Sequence, residues 1–479
     1  MYSFLITLTG FFLRLIYINK PEGLWNDEYV SWMTASVPFG QGFWHAITEQ
    51  CHMPLYYMYI KPFVNCSDIV LRLTSVIPSV IAIPAMYLIG KEYSKKTGYF
   101  CAAITSVLPF LIYYSQEVRF YSLVFLFSSL IFLISIKIIK YGNKKYYTLY
   151  AIIALLLILT HHLSIIFLTF LTGYLIYKTK KITKSGIIFS FLCLAIILPF
   201  GIHILKQLPS AQWWNTFSYK NLFFMFTDFF SPILTNNITT PENLFYIKNP
   251  LFISLMIIPA IIAVWGILKT FKKAKGYNLI WLGTVFIMAV LASQNVVVFL
   301  TKYIIEVLPL MILLVVLGLQ NKQKNLLLIL FVIIQILSVL TPYHPSKIYR
   351  AEGNKIVGDI LNYTKPDVTL FTYYAPDRFT RYRTSTSKDF YISKINRFEY
   401  ADNPQNILKD VKNGEKVSFI FLDTVTFIQP ESKNNNEIEM FVTFSKIKNK
   451  LFEYIYSNYT DINVTRQGCW TIITAVKNL

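Results

Sequence analysis

Acidic side chains are scarce in the first part of this 479-residue chain. Of its 25 Asp and Glu residues, ten lie before residue 342 and fifteen after it. Over the whole chain 54% of the residues are hydrophobic and the mean hydropathy is +0.47, whereas an ordinary soluble domain is about 45 to 50% apolar. The first part is therefore too apolar for a soluble protein, and we interpret it as embedded in a membrane.

Sequence motifs for metal and nucleotide binding are also missing. The five cysteines form no CxxC pair and no His/Cys spacing typical of a metal site. No glycine-rich phosphate loop opens a helix in the last third of the chain, so nothing marks a nucleotide site there. Cys51 and Cys66 fall in one predicted loop, where a disulfide and two free thiols both remain open.

Long apolar runs separated by basic clusters are what the sequence does contain. Runs such as Leu251–Lys269 and Val298–Leu319 are long enough to cross roughly 30 Å of hydrocarbon as helices. Of the 26 Lys and Arg residues before residue 342, 17 fall in five short clusters, which are Lys91–Lys96, Lys137–Lys145, Lys178–Lys184, Lys269–Lys275 and Lys322–Lys324. Such clusters mark cytoplasmic loops. The net charge of +20 therefore reflects the lysines and arginines of the cytoplasmic loops. We expect no nucleic acid as a partner.

If all five clusters are cytoplasmic, the chain must cross the bilayer an even number of times between successive clusters. This parity predicts about eleven helices, a cytoplasmic N-terminus and a multi-pass protein of the cytoplasmic membrane. We interpret Met1–Ile18 as an uncleaved anchor. The outer face then receives loops 19–68 and 207–249 and tight turns at Tyr113–Tyr121 and His161–His162.

The composition changes at Thr341-Pro342, because the residues that follow are more acidic and contain no long apolar run. We therefore predict a membrane domain at 1–341 and a small soluble α/β domain at 342–479, on the outer side. The predicted order of its elements is a helix at Ile356–Tyr363, strands at Val368–Tyr374 and Val417–Leu422, a helix near Phe441–Tyr456 and a strand near Trp470–Val476. The fold class is thus mainly α, with a small α/β appendage.

Burying a carboxylate in a membrane costs free energy, so each carboxylate of this apolar part is a candidate for a functional role. Asp27 and Glu28 are adjacent, just past the first helix, in Leu-Trp-Asn-Asp-Glu-Tyr. A carboxylate at a membrane surface can act as a general base for a hydroxyl or as a metal ligand. A solvated loop or a helix cap is the other interpretation, and both remain open.

A second polar group lies at the predicted turn Tyr114–Tyr121, where Arg119 offers a planar fork of donors suited to a phosphate. Glu117 either carries a second functional charge or forms a local pair with Arg119. A third group is Lys302-Tyr303, near the outer end of a helix, where Lys302 either contacts a phosphate or is neutralised by Glu306 four residues later.

Histidines and the remaining arginines complete the set of candidates. His52, followed by Met-Pro-Leu-Tyr-Tyr, can hydrogen-bond a phosphate or a sugar, or it can be an interfacial loop histidine. His161 and His162 are explained by a tight turn. Arg14 and Arg72 are expected to extend to the outer headgroups.

In order along the chain, the motifs are Leu-Trp-x-Asp-Glu, His-x-Pro-Leu-Tyr-Tyr, Leu-Arg-Leu-x-Ser, Tyr-Ser-Gln-Glu-x-Arg-x-Tyr-Ser-Leu and Lys-Tyr with a following proline. This order resembles the polytopic glycosyltransferases of the GT-C fold. It is most similar to bacterial relatives of the dolichyl-phosphate-mannose protein mannosyltransferases and of the lipid A aminoarabinose transferase. The resemblance spans residues 1 to about 320, and the C-terminal domain matches only loosely.

The resemblance implies transfer of a sugar from a polyprenyl-phosphate donor to an acceptor hydroxyl on the outer face, with inversion. It implies Asp27 as the catalytic carboxylate with Glu28 beside it, and Arg119, Lys302, Tyr303 and His52 as contacts of the donor phosphate. Many relatives have arginine in place of Lys302. The supporting residues are Gln116, Glu117, Tyr121 and Arg72. A divalent metal is left open, with Asp27, Glu28 and Glu117 as its possible ligands.

Two other classes compete with a transferase. A transporter or lipid flippase also has many helices, but it usually shows internal repeats and polar groups at the bilayer midplane, and we find no repeat. A membrane scaffold would have no reason to gather Asp27, Arg119 and Lys302 on one face. The sugar, and whether the acceptor is a glycolipid, a polysaccharide or a protein, are not determined by the sequence.

Overall fold

The computed structural model describes most of the membrane helices and the core of the C-terminal sheet. The described residues are 1–19, 23–49, 52–180, 220–231, 250–293, 299–320, 325–340, 355–372, 381–392, 411–422, 452–467 and 470–478, with Leu198 and Ile202. They form two compact units. The first comprises Met1–Ile18, Val30–Ile238 and Glu242–Tyr349, and the second comprises Asn19–Tyr29, Thr239–Pro241 and Arg350–Leu479.

The first unit is helical. The helices up to residue 180 are α1 (Tyr2–Leu15), α2 (Asn26–Ser36), which begins in the second unit, α3 (Gln41–Glu49), α4 (Pro54–Ile60), α5 (Asp68–Lys91), α6 (Lys95–Val107), α7 (Pro109–Ser115), α8 (Tyr121–Tyr141), α9 (Lys144–Thr160) and α10 (Ser164–Thr179). Later helices are α11 (Lys220–Phe230), α12 (Pro250–Thr270), α13 (Lys275–Ser293), α14 (Leu308–Leu319) and α15 (Asn325–Leu340). Short 3-10 helices occupy Lys61–Phe63 and Thr301–Val307.

Several of these helices have the length and composition of membrane spans. Among the described residues, four stretches qualify, which are Asp68–Lys91, Tyr121–Tyr141, Lys275–Ser293 and Thr301–Leu319, and the bent pair α6–α7 makes a fifth. Shorter apolar helices include α1, α10 and α15. The predicted mainly α, polytopic fold is confirmed, while the count of about eleven spans stays a prediction because parts of the chain lie outside the described residues.

The centre of the first unit is close-packed. Every residue of α14 from Leu308 to Val316 is buried, as expected for a helix that is apolar all round. Where α14 crosses α12, a side chain at Gly318 would collide with the backbone of Gly266. Small residues at such crossings let two helix backbones approach closely inside a membrane.

Arg14 is fully buried, which corrects the expectation that it extends to the headgroups. Its guanidinium donates to Ser79 Oγ at 2.8 Å, to the carbonyls of Gly10 and Ser106 at 2.9 Å each, and to that of Thr105 at 3.1 Å. Pro109, the first residue of α7, has no N–H to offer the Thr105 carbonyl. Arg14 therefore satisfies carbonyls at the 55° bend between α6 and α7, which would otherwise be unpaired in hydrocarbon.

Arg72 is also fully buried and donates to the carbonyl of Ile18 at 2.9 Å, so the same expectation is wrong for it. It lies on α5, which contains Pro78. The carbonyl of Thr74, four residues before that proline, accepts from the Tyr59 hydroxyl at 2.8 Å. Side chains thus replace the backbone donors that prolines remove from the membrane helices.

The predicted turns are confirmed. The helix α9 ends at Thr160 and α10 begins at Ser164, on either side of His161-His162. Likewise α7 ends at Ser115 and α8 begins at Tyr121. The predicted outer loop 207–249 lies mostly outside the described residues, and the part that is described contains the helix α11; its place on the outer face stays a prediction.

The second unit contains a mixed five-stranded sheet. Its described elements are the helix α16 (Lys355–Thr364) and the strands β1 (Val368–Thr372), β2 (Lys388–Ile392), β3 (Lys416–Leu422), β4 (Tyr459–Gln467) and β5 (Trp470–Lys477). The strand order is β2-β1-β3-β5-β4. The strand β1 pairs in parallel with β2 and β3, and β5 pairs antiparallel with β3 and β4.

Inward-facing Val368, Leu370, Val417, Phe419 and Ile473 form the core of this sheet. The predicted helix at Ile356–Tyr363 and the strands in β1, β3 and β5 are confirmed, whereas β2 and β4 were missed. Both missed strands carry mixed polar residues, Lys-Asp-Phe-Tyr-Ile and Tyr-Thr-Asp-Ile-Asn, and both are edge strands of the sheet. Of the predicted helix Phe441–Tyr456, only the end is described, and residues 452–458 are helical.

Replacement of Arg14 tests its role at the bend. In Arg14→Met the carbonyls of Thr105 and Ser106 lose their donor, and each unsatisfied buried carbonyl costs about 1–3 kcal/mol. We expect a lower melting temperature of the purified protein in detergent, measured by intrinsic fluorescence. The matched control is Lys144→Met, since Lys144 is exposed at the start of α9, and an equal effect of both changes would contradict the assignment.

Candidate active site

Arg119 is the centre of a polar cluster in the first unit. It lies in the connection between α7 and α8 and is only 5% exposed. Its guanidinium donates to Ser31 Oγ at 3.3 Å and to His52 Nε2 at 3.5 Å. The guanidinium carbon lies 5.3 Å from the centroid of the Phe120 ring and 5.9 Å from that of Tyr121. A hydroxyl, an imidazole and two aromatic rings thus contact the cation.

The fixed connection that carries Arg119 depends on Gln116. The Gln116 side-chain amide donates to the carbonyls of Arg14 and Ile16, at 2.8 and 2.6 Å, at the end of α1. The Arg119 carbonyl accepts from Ser75 Oγ of α5 at 3.2 Å. Glu117 is 2% exposed, and its carbonyl accepts the N–H of Arg119 at 2.7 Å. The Ser-Gln-Glu-x-Arg motif is therefore a tight turn that is tied to α1 and α5.

His52 orients Arg119. Arginine has only donors, so Nε2 of His52 must be the acceptor in their contact. The proton of the neutral ring is then on Nδ1, which donates to the Tyr57 hydroxyl. Burial, followed by the charge of Arg119, the neighbouring histidines and Lys302, holds the pKa of His52 well below its usual range. His52 is therefore neutral at pH 7, and a direct contact with a phosphate stays a prediction.

Lys302 and Tyr303 extend the cluster from the 3-10 helix Thr301–Val307. The Lys302 ammonium lies 5.7 Å from the centroid of the Tyr121 ring and 5.7 Å from that of Tyr303. The same Tyr121 ring also faces the guanidinium of Arg119. Two cations thus share one aromatic ring, and His161 packs against Tyr303 and stacks on Phe120, with centroids 6.0 and 5.2 Å apart. Neighbouring cations repel each other, so a bound anion would relieve their repulsion.

Glu306 does not neutralise Lys302. Ile304, which lies between them, has non-helical backbone angles of φ −114° and ψ 21°, so the α-helical spacing that brings residues four apart together does not apply here. Glu306 is fully buried, and among the described residues neither of its carboxyl oxygens has a hydrogen-bond partner. The alternative in which Lys302 is paired within its own helix is therefore wrong.

Asp228 is a functional candidate that the sequence reading missed. It lies on α11, is 2% exposed, and accepts the hydroxyl of Thr301 at 2.6 Å. Thr301 immediately precedes Lys302, so this bond fixes the start of the 3-10 helix. Asp228 belongs to no motif. It could have been recognised as the single carboxylate in the apolar run Phe-Phe-Met-Phe-Thr-Asp-Phe-Phe, which was predicted to be part of a loop.

The paired carboxylates lie in the second unit, at the start of α2. Glu28 is fully buried, and its carboxylate accepts the N–H of Trp25 at 3.1 Å. This is the return half of a capping box, in which the third helical residue satisfies the N–H just before the helix. The helix-cap interpretation therefore applies to Glu28. Asp27, its neighbour in the first turn, is partly exposed, and its role as a base stays a prediction.

The segment before these carboxylates is attached to the C-terminal part of its own unit. The N–H of Leu24 donates to the Tyr382 hydroxyl at 2.6 Å. Gly23 has a φ of +82°, and a side chain on it would come within 2.9 Å of the Lys355 backbone nitrogen. Asn362 of α16 fixes the Tyr382 loop by accepting the N–H groups of Thr384 and Ser385 at 2.7 and 3.0 Å.

The predicted site residues therefore fall into two groups. Arg119, His52, Lys302, Tyr303 and Tyr121 come together in the first unit, whereas Asp27 and Glu28 belong to the second. Gln116 and Arg72 bind backbone carbonyls. Across the described ranges no group of three or more His, Cys, Asp and Glu residues could hold a metal ion. A role for a divalent metal stays a prediction.

Residues 52–203 match the model of the dolichyl-phosphate-mannose-protein mannosyltransferase family. The match contains His52, Arg72, Gln116, Glu117 and Arg119, and it ends before Lys302. It covers about a third of the chain. No curated protein sequence matches the chain significantly.

Two solved structures of ArnT from Cupriavidus metallidurans resemble the whole chain. The structure bound to undecaprenyl phosphate has a TM-score of 0.55 at 12% identity, and the apo structure has a TM-score of 0.56 at 11% identity. Each match covers 98% of this chain and 97% of the other. The chain therefore has the GT-C fold that its motifs predict, and residues 52–203 are similar to the dolichyl-phosphate-mannose-protein mannosyltransferase family.

Proposed function

We propose that the protein is a glycosyltransferase that moves a sugar from a polyprenyl-phosphate donor to a hydroxyl of an acceptor, with inversion. The acceptor class comprises glycolipids, polysaccharides and proteins. The reaction takes place on the outer face of the cytoplasmic membrane, with the N-terminus inside and the C-terminal domain outside. One observation carries the proposal: Arg119 and Lys302 contact the same Tyr121 ring, and this pair of neighbouring cations is suited to a phosphate.

Neutralisation of the phosphate supplies most of the chemistry. As the acceptor oxygen attacks the anomeric carbon, the bond from that carbon to the phosphate oxygen breaks and polyprenyl phosphate leaves. Negative charge builds up on the leaving phosphate, and cations already fixed beside it stabilise this charge without rearranging. Arg119 and Lys302 have this role, with the Tyr303 hydroxyl as a further donor. His52 holds the guanidinium through Nε2.

The acceptor needs one base. We assign this role to Asp27, which takes the proton of the acceptor hydroxyl as the new bond forms. Glu28, whose carboxylate caps α2, keeps the first turn of the helix in place. The fold similarity to ArnT, one structure of which holds undecaprenyl phosphate, supports a lipid-linked donor. A transporter or lipid flippase is the alternative function, and no described feature favours it.

The decisive experiment uses the purified protein in lipid nanodiscs with a panel of radiolabelled polyprenyl-phosphate sugars. Sugar transfer to a membrane-extract acceptor is compared between wild type and Asp27→Asn. We expect activity to fall about 10²- to 10⁴-fold, the usual effect of removing a general base, with donor binding retained. The matched control is Asp461→Asn, since Asp461 is exposed in β4. An arm with a chelator measures metal dependence.

Full activity of Asp27→Asn would contradict the assigned base. Failure of the wild type to bind or turn over any donor would overturn the transferase itself, and transport of the labelled lipid across the bilayer would then be measured.

The bond between Thr301 and Asp228 is expected to matter for donor binding. Thr301→Val keeps the shape of the side chain but removes the donor to Asp228, so the turn that carries Lys302 is less well held. We expect the KM for the donor to rise roughly tenfold, as for loss of about 1.4 kcal/mol, with a smaller effect on kcat. The control is Thr284→Val, whose hydroxyl bonds only to its own helix, and an unchanged KM would refute the role.

We expect the Tyr382 hydroxyl to affect kcat. Tyr382→Phe removes the hydroxyl that accepts the Leu24 N–H and loosens the segment that leads to Asp27. We expect kcat to fall several-fold while the KM for the donor stays the same, because the phosphate contacts are untouched. The control is Tyr363→Phe, since Tyr363 is 90% exposed. Equal kcat values for the two variants would show that this anchor has no part in catalysis.

A further inference from the structure

A cavity lined by lysines lies in the first unit, away from the candidate active site. Its volume is about 620 Å³, within the range of roughly 300–1,000 Å³ that small-molecule sites occupy. Five lysines line it, which are Lys178, Lys269, Lys272, Lys273 and Lys275. No acidic residue is among its described lining residues. We refer to it below as the lysine pocket.

The lysine pocket lies at the other ends of α10 and α14 from His161 and Lys302. Lys178 is at the end of α10, whose first residue lies three positions after His161. A helix of 16 residues spans about 24 Å at 1.5 Å per residue. Gln320, which follows α14, also lines the pocket, whereas the 3-10 helix with Lys302 precedes α14. Both helices therefore run from one site to the other.

Topology alone accounts for lysines at this face but not for their convergence on a cavity. Lys178 comes from the end of α10, and the other four come from the junction of α12 and α13. Elsewhere on this face a lysine does have an acidic partner, since Lys140 pairs with Glu92 at 3.1 Å. The five pocket lysines have no carboxylate among the lining residues to offset their charge.

The remaining lining groups suit a phosphate ester. Tyr93 and Tyr277 contribute hydroxyls, which hydrogen-bond each other at 2.8 Å, and the Tyr174 ring packs against Tyr277 with centroids 5.6 Å apart. Lysine ammonium groups are point-charge donors for phosphate, and basic pockets between helices on the cytoplasmic side bind acidic lipid headgroups. We propose that the lysine pocket binds the headgroup phosphate of an acidic phospholipid.

The occupant is a lipid rather than a free anion because the pocket lies where the helices leave the hydrocarbon. The apolar helices α10, α12, α13 and α14 end or begin at its rim, so acyl chains can run along them while the headgroup meets the lysines. Bound lipid would tie these four helices together at the face opposite the catalytic cluster. This site is independent of the proposed transferase activity.

The test measures thermal unfolding of the delipidated protein in detergent during titration with short-chain phosphatidylglycerol. Two parallel titrations use phosphatidylcholine with the same acyl chains and, separately, inorganic phosphate. We expect phosphatidylglycerol to raise the melting temperature in a saturable way, and the other two to have little effect. In the triple variant Lys272→Gln/Lys273→Gln/Lys275→Gln the apparent affinity should fall at least about tenfold, since each surface lysine contributes to binding of anionic lipid.

Two matched variants complete the experiment. Lys137→Gln/Lys144→Gln/Lys145→Gln removes the same charge from another cluster and should keep the response. Lys272→Arg/Lys273→Arg/Lys275→Arg keeps the charge and should also bind. An undiminished response in the pocket variant, or an equal response to phosphatidylcholine, would overturn the proposal. A saturable response to inorganic phosphate alone would show an anion site and would overturn the lipid assignment.

Discussion

Hydrocarbon offers no partner to a backbone carbonyl, and the candidate site is built on the way this protein meets that constraint. A proline at the start of α7 bends the chain by 55° between α6 and α7 and removes a backbone donor. Arg14 of α1 supplies the missing hydrogen bonds. Gln116 then binds the end of α1, so the bend and the turn that carries Arg119 are fixed to the same helix. The turn at the break in this membrane helix thereby holds Arg119 in place.

Around this support, aromatic rings and one neutral histidine contact the two cations. A ring face stabilises a cation while its N–H groups can still donate hydrogen bonds. His52 serves the same end, because its lone pair holds the guanidinium while the ring carries no charge. The buried Asp228 acts one residue away, on Thr301.

The second unit contains both the carboxylate segment and the C-terminal sheet. The carboxylate segment is joined through Leu24 and Gly23 to Tyr382 and to the start of α16. Residues separated by about 350 positions in the sequence therefore form one structural element. The sequence suggested no role for the C-terminal domain. In the structure, this domain contacts the segment that carries the proposed base.

The apolar runs and basic clusters were sufficient to predict a helical membrane protein, because hydropathy is a property of neighbouring residues. The fold followed from the resemblance of the motifs to those of the GT-C glycosyltransferases. The turns at Tyr113–Tyr121 and His161–His162 followed from the same local rules. The roles of Arg14, Arg72 and Glu306 did not, since burial and hydrogen-bond partners depend on helices distant in sequence. Asp228, Tyr382 and the edge strands β2 and β4 were not predicted for the same reason. Their partners are Thr301, Leu24 and the neighbouring strands, respectively, and only the tertiary structure brings these partners close.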